Sequence, residues 1–271
     1  MPELPEVETT LRGIAPYLTG TRIIRLLVRD RRLRLPISEE IEKRVEGQRV
    51  LGLRRRGKYL LVELHAGTLL IHLGMSGSLR ILPSDTPAGK HDHLDLILDS
   101  GRCLRLRDPR RFGVFLWTPE PPEGHTLLRR LGPEPLEDMF DGDYLHALSR
   151  GRRSAVKAFV MDGTVVVGVG NIYANESLFM AGIHPARTCS RVGRDRYRRL
   201  AAAIKQVLTS AIEQGGTSLR DFVQEDGSPG YFSFALQVYG QAGKPCPGCG
   251  EPIHQRRIGQ RSSFFCPRCQ R

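Results

Sequence analysis

The stretch Pro119-Glu-Pro-Pro-Glu-Gly124 divides the 271-residue chain into two parts with different sequence patterns. From Thr21 to about Trp117, short alternating or apolar runs predict β-strands, whereas beyond Gly124 apolar residues recur at helical spacing. Prolines and a glycine this close together end regular structure. We therefore predict a multidomain α+β protein with a domain boundary at this stretch.

The part before this boundary begins with one amphipathic helix and continues as strands. Apolar residues recur at helical spacing at Leu4, Val7, Leu11, Ile14 and Leu18, and Pro5 suits the first turn of a helix. Strands are predicted at Tyr59–Leu64, Thr68–His72, Leu94–Leu98 and Cys103–Arg107. Asp99-Ser100-Gly101 separates two of these runs as a hairpin turn would, and Gly74 and Gly77 separate another pair. Residues 1–120 are thus predicted to form an antiparallel sandwich or barrel.

The part after the boundary reads as a helical domain, residues 133–232, followed by a cysteine module, residues 237–271. Helical runs are predicted at Asp141 to Arg150, Ser154 to Met161, Gly170 to Ala181 and Arg194 to Gln214. The segment of about 215–232 is rich in glycine, and a loop of that length is usually functional or mobile.

The charge balance points to a polyanionic partner. Lys and Arg outnumber Asp and Glu by 41 to 29, which gives a formal net charge of +12. No apolar run reaches the roughly 18 residues that span a bilayer, and the acidic start MPELPEVETT differs from a secretory signal. We therefore expect a cytoplasmic protein that binds nucleic acid rather than a membrane.

Four of the six cysteines form two C-x-x-C pairs, Cys246-Pro-Gly-Cys249 and Cys266-Pro-Arg-Cys269, separated by sixteen residues. This spacing is typical of a closed four-cysteine zinc site, and two disulfides are the alternative. One structural zinc ion would supply about 10–16 kcal/mol of folding free energy to a module too small to fold alone. Arg256, Arg257 and Arg261 between the pairs make the predicted hairpin basic. Cys103 and Cys189 are interpreted as small buried residues.

The N-terminus is a candidate nucleophile. Removal of Met1 would leave Pro2 with a free secondary amine, and an α-amino group has an ordinary pKa near 7.7–8.0. Such an amine can attack a sugar C1′ and form a cationic iminium that promotes elimination of the phosphates. The alternative is that Pro2-Glu-Leu-Pro-Glu6 is merely the start of a helix.

The motifs along the chain resemble those of bacterial formamidopyrimidine-DNA glycosylases. The resemblance rests on the N-terminal MPELPEVET, Arg56-Gly-Lys-Tyr-Leu60, His72-Leu-Gly-Met-Ser-Gly77, Lys90-His-Asp-His93, Asp108-Pro-Arg-Arg-Phe-Gly113, Val167-Gly-Val-Gly-Asn-Ile-Tyr-Ala-Asn-Glu176, Gly230-Tyr-Phe232 and the four-cysteine finger. It implies an N-terminal β-sandwich, a helix–two-turns–helix domain that carries a lesion-recognition loop, and a zinc finger. It also implies a monomeric bacterial enzyme, associated with the nucleoid, that excises oxidised purines from damaged double-stranded DNA and nicks the strand by β,δ-elimination.

The resemblance assigns catalytic roles residue by residue. Pro2 is the Schiff-base nucleophile, Glu3 the acid/base, and Lys58, which we place at the start of a strand, contacts phosphate and assists β-elimination. Glu6 supports the site or serves only as a charge at a helix N-terminus. Arg261 matches the family's proton donor for the second elimination, but a guanidinium is better suited to binding phosphate.

DNA contacts are implied at His91, Arg110, Arg152 and Asn171, where Arg152 stands in the place of a lysine. Asn171 also lies at a predicted helix N-terminus, which attracts phosphate. Met75, Arg111 and Phe112 match residues inserted into the duplex, although packing in the β-domain is the alternative for Met75 and Phe112.

Three other functions compete with this one. Gly168-Val-Gly170 lacks the third glycine and the βαβ setting of a dinucleotide loop, so no nucleotide cofactor is expected. The related endonuclease VIII group prefers oxidised pyrimidines, and the Pro-Glu-Leu-Pro-Glu-Val start argues against it. A non-catalytic zinc-ribbon DNA-binding protein is the third possibility, against which the presence of Pro2, Glu3 and Lys58 weighs.

Overall fold

The computed structural model describes residues 2–215 and 236–271. These residues form two compact units, one of residues 2–129 and the other of residues 130–214 and 236–271. Of the predicted helical domain, residues 133–214 lie in the second unit, together with the predicted cysteine module. The predicted lesion-recognition loop, about 215–232, lies outside the described residues except for Gly215.

The first unit is an antiparallel β-sandwich with a helix at its N-terminus, as predicted. Its helices are α1 (Leu4–Leu18) and the short α2 (Ile41–Val45). Its strands are β1 (Ile23–Val28), β2 (Val50–Arg56), β3 (Tyr59–Leu64), β4 (Gly67–His72), β5 (Ser78–Pro83), β6 (Asp92–Leu98), β7 (Arg102–Arg107) and β8 (Val114–Thr118). One sheet has the order β1-β6-β7-β5 and the other β2-β3-β4-β8.

The core of this unit lies between the two sheets and the apolar face of α1. Val7, Ile14 and Leu18 of the helix share one buried cluster with residues from both sheets, such as Leu60 and Leu96. The hairpin predicted at Asp99-Ser100-Gly101 is confirmed by the pairing of β6 with β7. The strands on either side of Gly74 and Gly77 do not pair, because β4 and β5 belong to different sheets.

The described residues of the second unit form four α-helices, a short 3-10 helix at Cys189–Arg191 and a two-stranded hairpin. The helices are α3 (Gly142–Ser149), α4 (Val156–Val160), α5 (Asn171–Met180) and α6 (Arg194–Glu213), and the hairpin strands are β9 (His254–Ile258) and β10 (Arg261–Phe265). The predicted apolar face of α6 is buried. Helix α4 is shorter than predicted, because Ala155 instead forms an isolated β-bridge with Thr188.

Close helix packing explains one glycine of this unit. A Cβ atom on Gly142 would lie 2.3 Å from the Cα of Arg198, so glycine allows α3 to approach α6. Among the residues that the structure describes, no helix combines the length and apolar character needed to cross a membrane.

Candidate nucleic-acid interface and metal site

The N-terminus of α1 holds the candidate nucleophile and acid in a fixed, buried position. Pro2 is buried directly before the helix, and the Glu3 and Glu6 side chains are 2% and 1% exposed. The Glu6 carboxylate accepts a hydrogen bond from the Glu3 amide at 2.8 Å, the pattern of a capping box. Glu6 therefore does more than place a negative charge near the helix, because it fixes the Pro2–Glu3 peptide.

An ion pair joins α1 to the arginine-rich strand β2. Arg55 Nε donates to Glu8 Oε2 at 2.9 Å. Burial alone would raise the pKa of Glu8, but the hydrogen bonds from Arg55 and Arg12 lower it below its ordinary value. The Glu8 carboxylate thus stays ionised and holds the helix against the sheet.

Lys58 lies in the turn between β2 and β3, one residue before the strand that we predicted it to begin. Its side chain is partly buried, and its charge contributes to the electrostatics of His72. Burial first, and then the charges of Lys58 and Arg34, lower the pKa of His72 to about 4. His72 is therefore neutral at physiological pH, and its Nδ1 accepts the Gly74 amide N–H at 2.9 Å.

Met75 and Phe112 lie on two loops that pack backbone against backbone. A Cβ atom on Gly74 would lie 2.4 Å from the Phe112 carbonyl carbon, and φ of Gly74 is +62°, so only glycine fits there. Phe112 is 45% exposed at the tip of its loop, whereas Met75 is partly buried. An exposed aromatic ring on a loop that packs tightly against a neighbour is unlike ordinary core packing. This favours the interpretation that Phe112 is inserted into the duplex as a wedge.

The two arginines beside Phe112 have different surroundings. The Arg110 guanidinium lies over the Phe112 ring, with its Cζ 5.1 Å from the ring centre. Arg111 has a φ of +58° and its Nη2 lies 2.7 Å from Asp30 Oδ2. Hydrogen bonds from Arg32, together with the charge of Arg111, hold the pKa of Asp30 well below its ordinary range. The structure thus brings Arg110, not Arg111, together with the aromatic ring.

His91 lies just before β6 and is connected to the same loop through the main chain. Its carbonyl oxygen accepts the Asp108 amide N–H at 3.1 Å. The neighbouring His93 is buried, and its Nε2 lies 2.7 Å from the Asp108 carbonyl oxygen. The backbone of Asp108 therefore fixes the segment that carries His91.

In the second unit, Asn171 is the first residue of α5, as predicted. Its Oδ1 is buried without a hydrogen-bond partner among the described residues, and its carbonyl oxygen accepts Asn175 Nδ2 at 2.6 Å. Free amide groups at a helix start attract anions. Arg152 stacks on Phe159, with Cζ 5.3 Å from the ring centre.

The four cysteines of the C-terminal module converge on one point. Their sulfur atoms all lie within 4.8 Å of one another, with Cys249 and Cys266 3.5 Å apart and Cys246 and Cys269 3.9 Å apart. Tetrahedral zinc with bonds of about 2.3 Å separates its sulfur ligands by about 3.8 Å. The cysteines are free rather than paired in disulfides, so they fit a structural metal site.

The electrostatics of the cluster also favour a cation. Contact with the Cys249 sulfur is the main cause that raises the pKa of Cys269 to about 12. The Cys269 thiol thus resists ionisation beside its neighbours, and a bound divalent cation removes this resistance.

Buried polar side chains fix the cysteine hairpin on the helices of the same unit. Lys157 of α4 donates to the Ser262 carbonyl at 2.8 Å and to the Ser263 hydroxyl at 2.7 Å. Asn175 Oδ1 accepts the Phe264 amide N–H at 2.8 Å. The hairpin turn Gly259–Gln260 has positive φ at both residues and leaves Arg261 exposed at the start of β10. Arg261 is therefore presented by a rigid support.

Sequence reasoning assigned no role to Glu176. Its buried carboxylate accepts backbone N–H groups of residues 237, 238 and 239 at 2.8–3.0 Å, and burial raises its pKa. It fixes the segment that leads into the cysteine module. Glu176 is the only charged residue of α5, and this was the available signal, since a buried carboxylate requires partners.

Comparisons with known proteins agree with this arrangement. Residues 1–115 match the formamidopyrimidine-DNA glycosylase N-terminal domain, residues 131–223 the H2TH domain of the same enzymes, and residues 243–271 the zinc finger found in FPG and IleRS. The formamidopyrimidine-DNA glycosylase of Methylococcus capsulatus is 59% identical over 271 residues, which cover 100% of both chains.

Solved structures are similar over the same extent. A complex of a Lactococcus lactis FPG mutant with Fapy-dG containing DNA matches with a TM-score of 0.93 and 33% identity, and covers 100% of both chains. A complex of Lactococcus lactis Fpg with abasic-site DNA matches with a TM-score of 0.91 and 32% identity over 99% of both chains. Taken together, the three domain matches and the full-length relative show that this chain belongs to the formamidopyrimidine-DNA glycosylase family.

Proposed function

We propose that this chain is a bifunctional DNA glycosylase and abasic-site lyase of base excision repair, which removes 8-oxoguanine and formamidopyrimidines from duplex DNA. The observation that carries the proposal is the buried start of α1, where Glu6 fixes the peptide between Pro2 and Glu3. A positioned carboxylate next to a secondary amine provides the acid/base and the nucleophile that the reaction requires.

The first step is excision of the base. The unprotonated nitrogen of Pro2 attacks C1′ of the damaged nucleotide, the glycosidic bond breaks, and the base leaves with a proton. Glu3 stabilises the positive charge that develops on the sugar and transfers a proton during ring opening. The product is an iminium between Pro2 and C1′.

The second step is strand cleavage. The iminium withdraws electrons from C2′, so loss of a C2′ proton expels the 3′-phosphate, and a second elimination expels the 5′-phosphate. Lys58 and Arg261 contact the phosphates, and Arg261 acts there through bidentate binding, because a guanidinium is a poor proton donor. Hydrolysis of the iminium then releases Pro2.

DNA binding is divided between the two units. In the first, His91 and Arg110 contact the strand, while Met75, Arg111 and Phe112 fill the gap left by the extruded nucleotide. In the second, Arg152, Asn171 and the basic hairpin bind phosphate. The hairpin is held by one zinc ion on Cys246, Cys249, Cys266 and Cys269, which is structural because four thiolates leave no open position.

We further propose a monomer that acts in the cytoplasm, with domains of residues 1–120, 133–232 and 237–271 and no nucleotide cofactor. The excess of basic residues supports DNA as the partner. The affinity should accordingly fall linearly with salt concentration on logarithmic axes.

The test is excision from duplexes that carry a single lesion. We expect release of 8-oxoguanine opposite cytosine, with slower release opposite adenine and from an oxidised pyrimidine. Faster excision of the pyrimidine would favour an endonuclease VIII-like activity, and binding without excision a non-catalytic protein. Arg110→Ala and Arg111→Ala, measured side by side, identify the arginine that sets the opposite-base preference.

A further inference from the structure

Asp108 is a buried carboxylate that the proposed chemistry does not use. It is 0% exposed and lies between β7 and the loop that carries Arg110 and Phe112. Its Oδ2 accepts the Gly113 amide N–H at 2.8 Å, and its Oδ1 accepts the Ser76 hydroxyl at 2.7 Å. One side chain thus binds both the Phe112 loop and the Met75 loop.

The Ser76 hydroxyl also acts as an acceptor between the two loops. While it donates to Asp108, its oxygen accepts the Arg110 amide N–H at 3.2 Å. Arg110 N–H also lies 3.3 Å from Asp108 Oδ1. Ser76, Asp108 and Arg110 therefore form a closed set of hydrogen bonds between the two loops.

Burial of the Asp108 carboxylate restricts the two contacts that its oxygens make, whereas the Arg110–Ser76 hydrogen bond is exposed. An ionised carboxylate is an acceptor only, and it is costly to bury unless donors surround it. If either loop moved away, Asp108 would lose a donor in a site that water does not reach. The backbone contact between Gly74 and Phe112 restricts the loops further, so the two loops hold their relative positions.

We propose that Asp108 and Ser76 are positioning residues that hold Met75 and Phe112 together as one preorganised wedge for duplex DNA. The proposal rests on the proposed glycosylase function. Extrusion of a nucleotide costs a few kcal/mol, and side chains that replace its stacking do so best when they need not be ordered during insertion. Neither residue need touch DNA.

The test compares two substrates that differ in their need for a wedge. One is a duplex with 8-oxoguanine opposite cytosine, assayed for single-turnover excision, and the other is a single-stranded oligonucleotide with a preformed abasic site, assayed by borohydride trapping. Ser76→Ala should slow excision from the duplex about tenfold and change trapping on the single strand less than twofold. Ser76→Thr keeps a hydroxyl and should recover most of the duplex activity.

Two further variants complete the design. Asp108→Asn keeps one acceptor oxygen but turns an amide N–H₂ toward either Ser76 or the Gly113 N–H, so it should reproduce the selective loss on the duplex. Ser100→Ala, at an exposed serine in the β6–β7 turn, is the matched control and should match the wild type on both substrates.

An equal loss on both substrates in Ser76→Ala and Asp108→Asn would overturn the proposal, because it would indicate a general structural role. Unchanged duplex excision in both variants would also overturn it. Wild-type protein that neither excises 8-oxoguanine from the duplex nor traps on the single strand would instead contradict the proposed function, so the two failures are distinguishable.

Discussion

Replacement of Lys157 by methionine should loosen the cysteine hairpin without removing its metal. Lys157 is 1% exposed, and its ammonium group donates to the Ser262 carbonyl and the Ser263 hydroxyl. Methionine has a similar length but no donor, so both oxygens would lose this partner. Each loss costs about 1–3 kcal/mol. Removal of a buried charge offsets part of this cost, which leaves a net destabilisation of about 2–4 kcal/mol.

Lys157→Met should differ from the wild type in its unfolding midpoint and DNA affinity but not in its zinc content. The midpoint of thermal unfolding should fall by at least about 4 °C, since 1 kcal/mol corresponds to about 2–4 °C in a protein of this size. Zinc content should remain one per chain, because Lys157 is not a metal ligand. The affinity for lesion DNA should fall, because the hairpin that carries Arg261 would no longer be fixed on α4.

Lys205→Met is the matched control. Lys205 lies on α6, and its replacement removes one positive charge, as Lys157→Met does, together with an exposed hydrogen bond to the Glu137 carbonyl, 2.8 Å long. Its unfolding midpoint should stay within about 2 °C of the wild type. If Lys157→Met has the same midpoint and the same DNA affinity as Lys205→Met, the reasoning about hairpin docking is wrong.

Three other perturbations have defined outcomes. Glu6→Ala removes the acceptor of the buried Glu3 amide, so borohydride trapping should slow while zinc content stays unchanged; undiminished trapping would contradict the positioning role. Cys249→Ser should lower the zinc content below one per chain and weaken DNA binding, as measured by metal analysis and titration, and a retained metal with full affinity would count against the site. His72, with its pKa lowered to about 4, stays neutral in the folded protein while the unfolded chain takes up a proton below about pH 6.5. Its contribution to stability is therefore complete above pH 6.5 and is lost as the pH falls toward 4, by about 3 kcal/mol in total. In urea unfolding, His72→Asn should lose less unfolding free energy than the wild type between pH 6.5 and 4. An equal loss would refute the assignment of this pH dependence to His72.

Elements with strong local patterns could be predicted from the sequence. The period of apolar residues placed α1 and α6, and alternating runs around Asp99-Ser100-Gly101 placed the β6–β7 hairpin. The C-x-x-C pairs predicted a metal site because both ligand pairs are local in sequence. Pairing of strands across the two sheets is non-local, which is why the runs beside Gly74 gave no indication that β4 and β5 separate.

The buried polar connections could not be predicted in the same way. Ser76 and Asp108 are 32 residues apart and Lys157 and Ser263 are 106 apart, and neither spacing has a pattern that would identify a contact. Arg110 stacks on Phe112, whereas Arg111 has a positive φ, and two adjacent identical residues give no sign in the sequence of this difference. Such contacts decide how the candidate residues are held.

The secondary amine of Pro2 should form the covalent intermediate, and borohydride trapping tests this role most directly. Protein that begins at Pro2 is mixed with a duplex that carries one 8-oxoguanine opposite cytosine, reduced, and mapped by peptide analysis. We predict a covalent adduct at Pro2, a weaker adduct with Pro2→Gly, and none when an additional residue precedes Pro2 and converts its nitrogen to an amide. Undiminished trapping by the extended protein, or an adduct on a lysine, would contradict the account.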